Sequence, residues 1–360
     1  MKNRLVCSFV VLALLAFAVA GQKLEPPKLE PTPDTESQRA LIKEGVGLHD
    51  KGDYDGAINR YEQVLTENPN SISALYEMSF SYFAKKDYQK SIDVSFKAAE
   101  YKSNLLPAIY LQIGNCFDEL GNSKQALDVY KAGIKLNPSS GLLYYNLAIT
   151  LARTGQFEDS RVAAKKAAAL DPNHRSSQLM LSNLFAKAGY QIPALLAACR
   201  FLILEPNSSR SEAALGTMQK IMVSGVSRTN EKEINIFVAT QPKKDEGDFE
   251  PIDLFLKLAM ASNYTEENKN KTKIELLAGN FETLFGFLSE GTTKDQSKFT
   301  WKYYVPYFAD LKRNGHTEAF VYYINQRGVI AGVDQWLQQN QTKVADFLTW
   351  SRAYRWPKID

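Results

Sequence analysis

Two adjoining stretches decide the fold: Pro107–Pro138 (PAIYLQIGNCFDELGNSKQALDVYKAGIKLNP) and Gly141–Pro172 (GLLYYNLAITLARTGQFEDSRVAAKKAAALDP). Laid over one another at an offset of 34 residues, they put Gly114 on Ala148, Gly121 on Gly155, Ala126 on Ser160 and Pro138 on Pro172. Apolar side chains recur at three- and four-residue spacing on both sides of the central glycine, which predicts two amphipathic helices joined by a tight turn. Small residues stand where the two helices cross, so the backbones can approach closely. Proline cannot continue a helix and closes each unit.

Working outward, the pattern extends from about Arg39 to Asn207. The small residue opening each second half falls at Ala57, Ser91, Ala126, Ser160 and Ala194, with gaps of 34, 35, 34 and 34 residues. Its counterpart in each first half falls at Gly45, Ser79, Gly114, Ala148 and Ser182. Pro69, Pro138, Pro172 and Pro206 close four units, and Gly52, Gly121, Gly155 and Gly189 mark mid-unit turns. A lone hairpin of this kind cannot bury its apolar face, so the units must stack. The array resembles the tetratricopeptide repeat (TPR) family, whose period is 34 residues. The second unit departs from the pattern. It has Ser91 and Ser95 where alanine and an aromatic are usual, and it lacks the closing proline.

The expected fold is all-α: a TPR helical-hairpin superhelix followed by an aromatic-rich, mainly helical C-terminal domain. Residues 1–20 read as a signal peptide, with Lys2 and Arg4 before an apolar run, Leu5–Val19, and Ala18-Val19-Ala20 as a small-x-small cleavage site. The run is shorter than the roughly 20 residues of a spanning helix, which favours cleavage over a retained anchor. Residues 21–37 carry Lys-Leu-Glu-Pro twice (Lys23–Pro26 and Lys28–Pro31) and read as a Pro-rich linker acting as an extended spacer. Residues 38–223 form the TPR domain, about five repeats plus a capping helix from Ser208 to Val223. Residues 224–250 form a linker with a β-prone run, Ile234–Val238, and a charged segment, Lys243–Asp248, expected to be solvated. Residues 251–360 form a helical domain that holds all four tryptophans (Trp301, Trp336, Trp350, Trp356). The aromatics predict a compact core, with a binding platform for sugar or peptide as the sharper alternative.

The 43 basic and 40 acidic side chains leave 41 and 40 once Lys2 and Arg4 are removed, a balance that argues against nucleic acid as the main partner. Cys116 and Cys199 are the two cysteines beyond the signal segment and are too few for a disulfide framework. His49, His174 and His316 have no second ligand at metal spacing. No phosphate-binding loop or nucleophile motif is present. The adjacent carboxylates Asp118/Glu119 and Glu266/Glu267 point about 100° apart on a helix, so neither is a ready acid–base pair. The expectation is therefore no enzyme, no catalytic residues, no metal and no cofactor.

The family resemblance implies that the first helices of the hairpins line a concave groove. Its side chains would include Ile42, Val46 and His49, then Tyr76, Phe80 and Phe83, then Leu111, Asn115 and Asp118. Tyr145 and Ile149 would follow, then Leu179 and Asn183. Some members grip a terminal carboxylate with a Lys/Asn clamp. Ile42 and Val46 stand where that clamp would begin, and Tyr76 and Phe80 continue it, so an apolar and aromatic groove flanked by Asn is expected instead. Such a surface suits an extended or helical segment of another protein. The functional expectation is an exported, periplasmic or secreted scaffold that binds protein or peptide partners for cell-envelope or secreted assemblies. The alternatives are a structural, self-associating or cell-wall-binding protein acting through residues 251–360, and an enzyme with an unrecognised site there.

Overall fold

A computed structural model of the protein describes residues 25–230, 233–238, 245–290 and 297–359. The signal-peptide reading falls on residues outside that set. The chain divides into two compact units, one running to Thr154 and the other from Gly155 onward. The division falls in the turn of the fourth repeat rather than in the 224–250 segment.

The first unit holds α1 (Glu36–Asp50), α2 (Tyr54–Glu67), α3 (Ile72–Ala84), α4 (Tyr88–Ala99), α5 (Leu106–Glu119), α6 (Ser123–Leu136) and α7 (Gly141–Arg153). Each packs on the next in sequence, and the first helices of neighbouring hairpins also touch: α1 with α3, α3 with α5, α5 with α7. Local chemistry sets the ends. Thr35 and Gln38 form a capping box, and Asp53, Ser71 and Asp87 each accept a backbone N–H from the first turn of α2, α3 and α4. At the hairpin turns Gly52 and Gly121 adopt left-handed φ values of 82° and 77°. The second repeat has Lys86 there, at φ 64°.

The crossing positions show a size rule. A Cβ on Gly45 would lie 2.4 Å from the Tyr61 ring, and one on Gly114 would lie 2.2 Å from the Tyr130 ring. Both tyrosines are fully buried. Where the second helix brings a large ring, the first helix gives up its side chain. In the second repeat Ser79 faces the sequence position of Ser95, two small residues, and both are buried. Ser91 donates to the Ser79 carbonyl at 2.7 Å and so stitches the second hairpin together, whereas the Ser95 hydroxyl is buried without a hydrogen-bond partner.

The second unit begins with α8 (Phe157–Leu170), α9 (Arg175–Lys187), α10 (Gln191–Leu204) and α11 (Ser209–Val223). An antiparallel hairpin follows, β1 (Val226–Asn230) with β2 (Glu233–Ile236). Then come α12 (Glu250–Ser262), a short 3-10 turn (Glu266–Asn268), α13 (Lys273–Glu290), α14 (Phe299–Arg313), α15 (Thr317–Ile324), α16 (Val333–Gln339) and α17 (Gln341–Ala353). The expected capping helix, α11, is covered in turn by α12, so the helical stack continues past it.

Helix α10 explains why. Every residue from Ile192 to Ile203 is buried, and a helix apolar all round must be enclosed. Helices α9 and α11 flank it, and α12, α14 and α15 close the remaining side. The 251–360 region therefore packs against the last repeat. Tyr303, Tyr304 and Tyr307 of α14 are fully buried at this junction. Tyr303 donates to the Ala168 carbonyl at 2.6 Å and Tyr304 to Gln178 Oε1 at 2.5 Å. Burial raises the pKa of all three phenols, so they stay neutral donors. Arg200, 1 % exposed, lies over the rings of Tyr307 and Trp356 at 5.3 and 4.8 Å and donates to Asn173 Oδ1 at 2.8 Å. The aromatics thus build a core.

Two expectations are corrected. Of the Lys243–Asp248 segment, residues 243–244 lie outside the described set, and residues 245–248 are not wholly solvated. Its Glu246 is fully buried, paired with Lys165 and hydrogen-bonded by Thr300 at 3.2 Å. Arg161 Nε lies 3.5 Å from the same carboxylate. Burial pulls the Lys165 pKa down, and the Glu246 charge opposes that shift. Nor is the Pro-rich stretch a free spacer. Lys28 and Leu29 both donate to the Glu100 carbonyl, at 2.9 and 3.0 Å, and Lys102 donates back to the Leu29 carbonyl at 2.8 Å. Periodicity does not register either feature, because each depends on a partner far away in sequence.

Candidate functional site

Helices α1, α3, α5 and α7 lie side by side, so their outward residues share one face of the first unit. Ile42 and Val46 of α1 are half-buried, as are Tyr76 and Phe83 of α3, Leu111 and Asn115 of α5, and Tyr145 and Ile149 of α7. Phe80 of α3 is the open one, at 43 % exposure. Its ring lies 5.5 Å from His49 and 6.2 Å from Tyr76, centroid to centroid, and His49 in turn meets the edge of Tyr54 at 5.1 Å. His49 Nδ1 shares a 2.8 Å hydrogen bond with Ser81 Oγ, which fixes the ring beside Phe80. The result is an aromatic row across α1, α3 and the first turn of α2, reachable from solvent at its centre.

Further along, polar groups are already engaged. Asn115 Oδ1 accepts from Tyr130 OH at 2.8 Å. Asp118 accepts from Thr150 and is paired with Arg153. Burial raises the Asp118 pKa, while those two partners pull it down. These bonds tie α5 to α6 and α7, so Asn115 and Asp118 order the ladder of helices. Glu77, next to Tyr76, has its pKa raised above 4.5 by burial and by the nearby Asp50. Asn183 belongs to the second unit and is exposed on α9. The sequence reading singled out Phe80 and His49 but not Tyr54, which completes the row from the first turn of the partner helix.

Among the described residues there is no group of three or more His, Cys, Asp or Glu side chains that could hold a metal ion. No helix among them is long and apolar enough to cross a membrane. Cys116 and Cys199 are both buried free thiols, and burial pushes the Cys116 thiol up to about 11.

Family profiles described as tetratricopeptide repeat match residues 48–94, 107–140 and 141–174. These segments are tetratricopeptide repeats. The first match runs from the end of α1 into α4 and takes in Ser91, while Ser95 lies just beyond it. Among curated proteins, the chain is 28 % identical over 119 residues to TPR repeat-containing protein MJ1428 of Methanocaldococcus jannaschii, covering 33 % of this chain and 21 % of that protein. It is 27 % identical over 133 residues to BBSome complex member BBS4 of Mus musculus, covering 37 % of this chain and 25 % of that protein. The match thus spans a quarter or less of either relative's length. Among solved structures, Pseudomonas aeruginosa pilF is similar at 17 % identity, covering 52 % of this chain and 90 % of that one with a TM-score of 0.43. The TPR protein YrrB is similar at 18 % identity, covering 50 % and 90 % with a TM-score of 0.39.

Proposed function

We propose that this protein is a non-catalytic scaffold whose first TPR unit binds a segment of another protein on the face of α1, α3, α5 and α7. The observation that carries the reading is Phe80, an aromatic side chain 43 % exposed in the middle of a row of rings on that face. A half-exposed phenylalanine flanked by half-buried Tyr76 and His49 is the kind of anchor that gains most when a partner removes it from water. The carboxylate clamp is absent from the expected positions, and an apolar face suits an extended or helical segment held by side-chain burial. The apolar N-terminal run with its small-x-small site supports an exported setting, periplasmic or secreted, and hence an envelope or secreted assembly.

Replacing Phe80 and Tyr145 together by alanine in the full chain tests this. Partner capture from envelope extract should fall by tenfold or more, while far-UV circular dichroism stays unchanged. Unchanged capture would discard this face as the binding surface.

A second reading has its own observation. Leu254, Phe255 and Leu258 of α12 are exposed at 40, 37 and 45 % and form a small apolar patch on the second unit. This supports self-association through that region. Sedimentation of the unaltered chain and a Leu254→Lys, Leu258→Lys variant decides it: equal mass for the two rejects the reading.

A further inference from the structure

Four of the five repeats end alike. The residue just before the closing proline, Asn68, Asn137, Asp171 or Glu205, donates its backbone N–H into its own helix, to Val64, Gly133, Ala167 or Phe201. The second repeat does not. Helix α4 has 12 residues where the second helices of the other repeats have 14, and it stops at Ala99. Ser103 stands where the others have proline. Early termination frees the Glu100 carbonyl and the Lys102 N–H, and the chain's own residues 28–29 take both, making a parallel bridge of Leu29 with Tyr101. Lys102 Nζ also pairs with Glu30 at 2.5 Å. Further along, Asn68 Nδ2 donates to the Thr32 carbonyl and to Asp34 Oδ1, each at 3.2 Å.

The segment is anchored by backbone bonds and one ion pair rather than by burial. Leu29 is 44 % exposed, and Lys28, Glu30, Pro31, Thr32 and Pro33 are all exposed. Segments with little buried surface open at low free-energy cost. Beyond the bridge, a cleft of about 220 Å³ opens between the α4–α5 loop and the end of α6, lined by Ser103, Leu106, Pro107, Tyr110, Leu136 and Asn137.

We propose that the shortened end of α4 is a binding site for an extended Leu-Glu-Pro segment, and that residues 28–31 occupy it in cis. Recognition is strand addition: the Glu100 carbonyl and the Lys102 N–H supply the ladder, and the Lys102 ammonium selects a carboxylate one residue after the paired position. Proline on either side keeps the ligand extended and lowers the entropy lost on docking. Because residues 28–31 are tethered four residues from Thr35, their effective concentration is in the millimolar range, so a free peptide competes poorly until they are released.

The test uses the full chain and a fluorescent peptide with the sequence of residues 27–34. Lys28→Pro with Leu29→Pro, and Lys23→Pro with Leu24→Pro at the matching positions, removes both donor N–H groups from each Lys-Leu-Glu-Pro copy, so neither copy can donate to the Glu100 carbonyl. This variant should bind the peptide at least tenfold more tightly than the unaltered chain, and its Lys102 amide should exchange faster. Adding Lys102→Pro should abolish binding. Equal binding by the unaltered chain, retention of binding after Lys102→Pro, or no binding by the released variant up to about 1 mM peptide overturns the proposal. An unchanged Lys102 amide in the variant overturns it too. Should the proline variant lose helical signal, Glu25→Lys with Glu30→Lys, which sets a like charge against the Lys102 ammonium, takes its place under the same criteria.

Discussion

Single residues carry local strain and charge that repeat symmetry alone would not place. Lys86 occupies a left-handed turn position, φ 64°, that glycine fills in the first and third hairpins. A side chain there costs about 1 kcal/mol or more. Lys86→Gly should therefore raise stability by roughly 0.5–1 kcal/mol, read as a higher urea midpoint at unchanged slope. Glu77 is an acid whose pKa in the folded state lies above its ordinary value of 4.5, chiefly because it is buried. The folded protein holds that proton more tightly than the unfolded chain. The stabilising contribution is complete below about pH 4.5 and is lost as pH rises through the folded pKa. Glu77→Gln should accordingly stabilise the protein at neutral pH and give no gain near pH 4. Thermal melts across that range check it, and an equal gain at both ends would refute the assignment.

At the scale of elements, the hairpins were legible because their determinants are local. Gly45 and Gly114 announce a large ring on the second helix, and glycine with proline sets the turn and the end. The end of α4 was legible only as a missing proline; its partner, Leu29, lies far upstream and leaves no periodic mark. The repeat pattern makes α10 one more amphipathic helix, though its run from Ile192 to Ile203, apolar but for Arg200, signals enclosure. Arg200 is the pin of that enclosure, held between two rings and by Asn173, Ser351 and the Pro172 carbonyl. Arg200→Ala should cost about 2–4 kcal/mol through the cavity and the lost bonds. Arg200→Lys should rescue little, because an ammonium cannot stack and fork as a guanidinium does. Chemical denaturation of the two variants measures this. Full rescue by lysine would mean that only the charge matters.

For the whole molecule, the boundary between compact units was the hardest feature to foresee. Composition changes near residues 224–250, whereas the compact units divide at Thr154 and Gly155. The physical reason is long-range burial: Glu246 pairs with Lys165, and Tyr303 and Tyr304 reach Ala168 and Gln178, so the second helix of the fourth repeat and the fifth repeat belong energetically with the C-terminal helices. The candidate binding face in the first unit was legible at Phe80 and Tyr76, where an exposed aromatic interrupts an otherwise half-buried row. It was less legible at Asn115 and Asp118, which serve the ladder between helices instead.

The most direct measurement is site-specific photo-crosslinking in the producing cell, with a photoreactive phenylalanine placed at Phe80. The control position is Val162, 65 % exposed on the second helix α8. If the face of α1, α3, α5 and α7 is where a partner segment lies, Phe80 gives a discrete adduct with another protein and Val162 does not. Adducts of the same mass and yield from both positions, or none from Phe80, would contradict it.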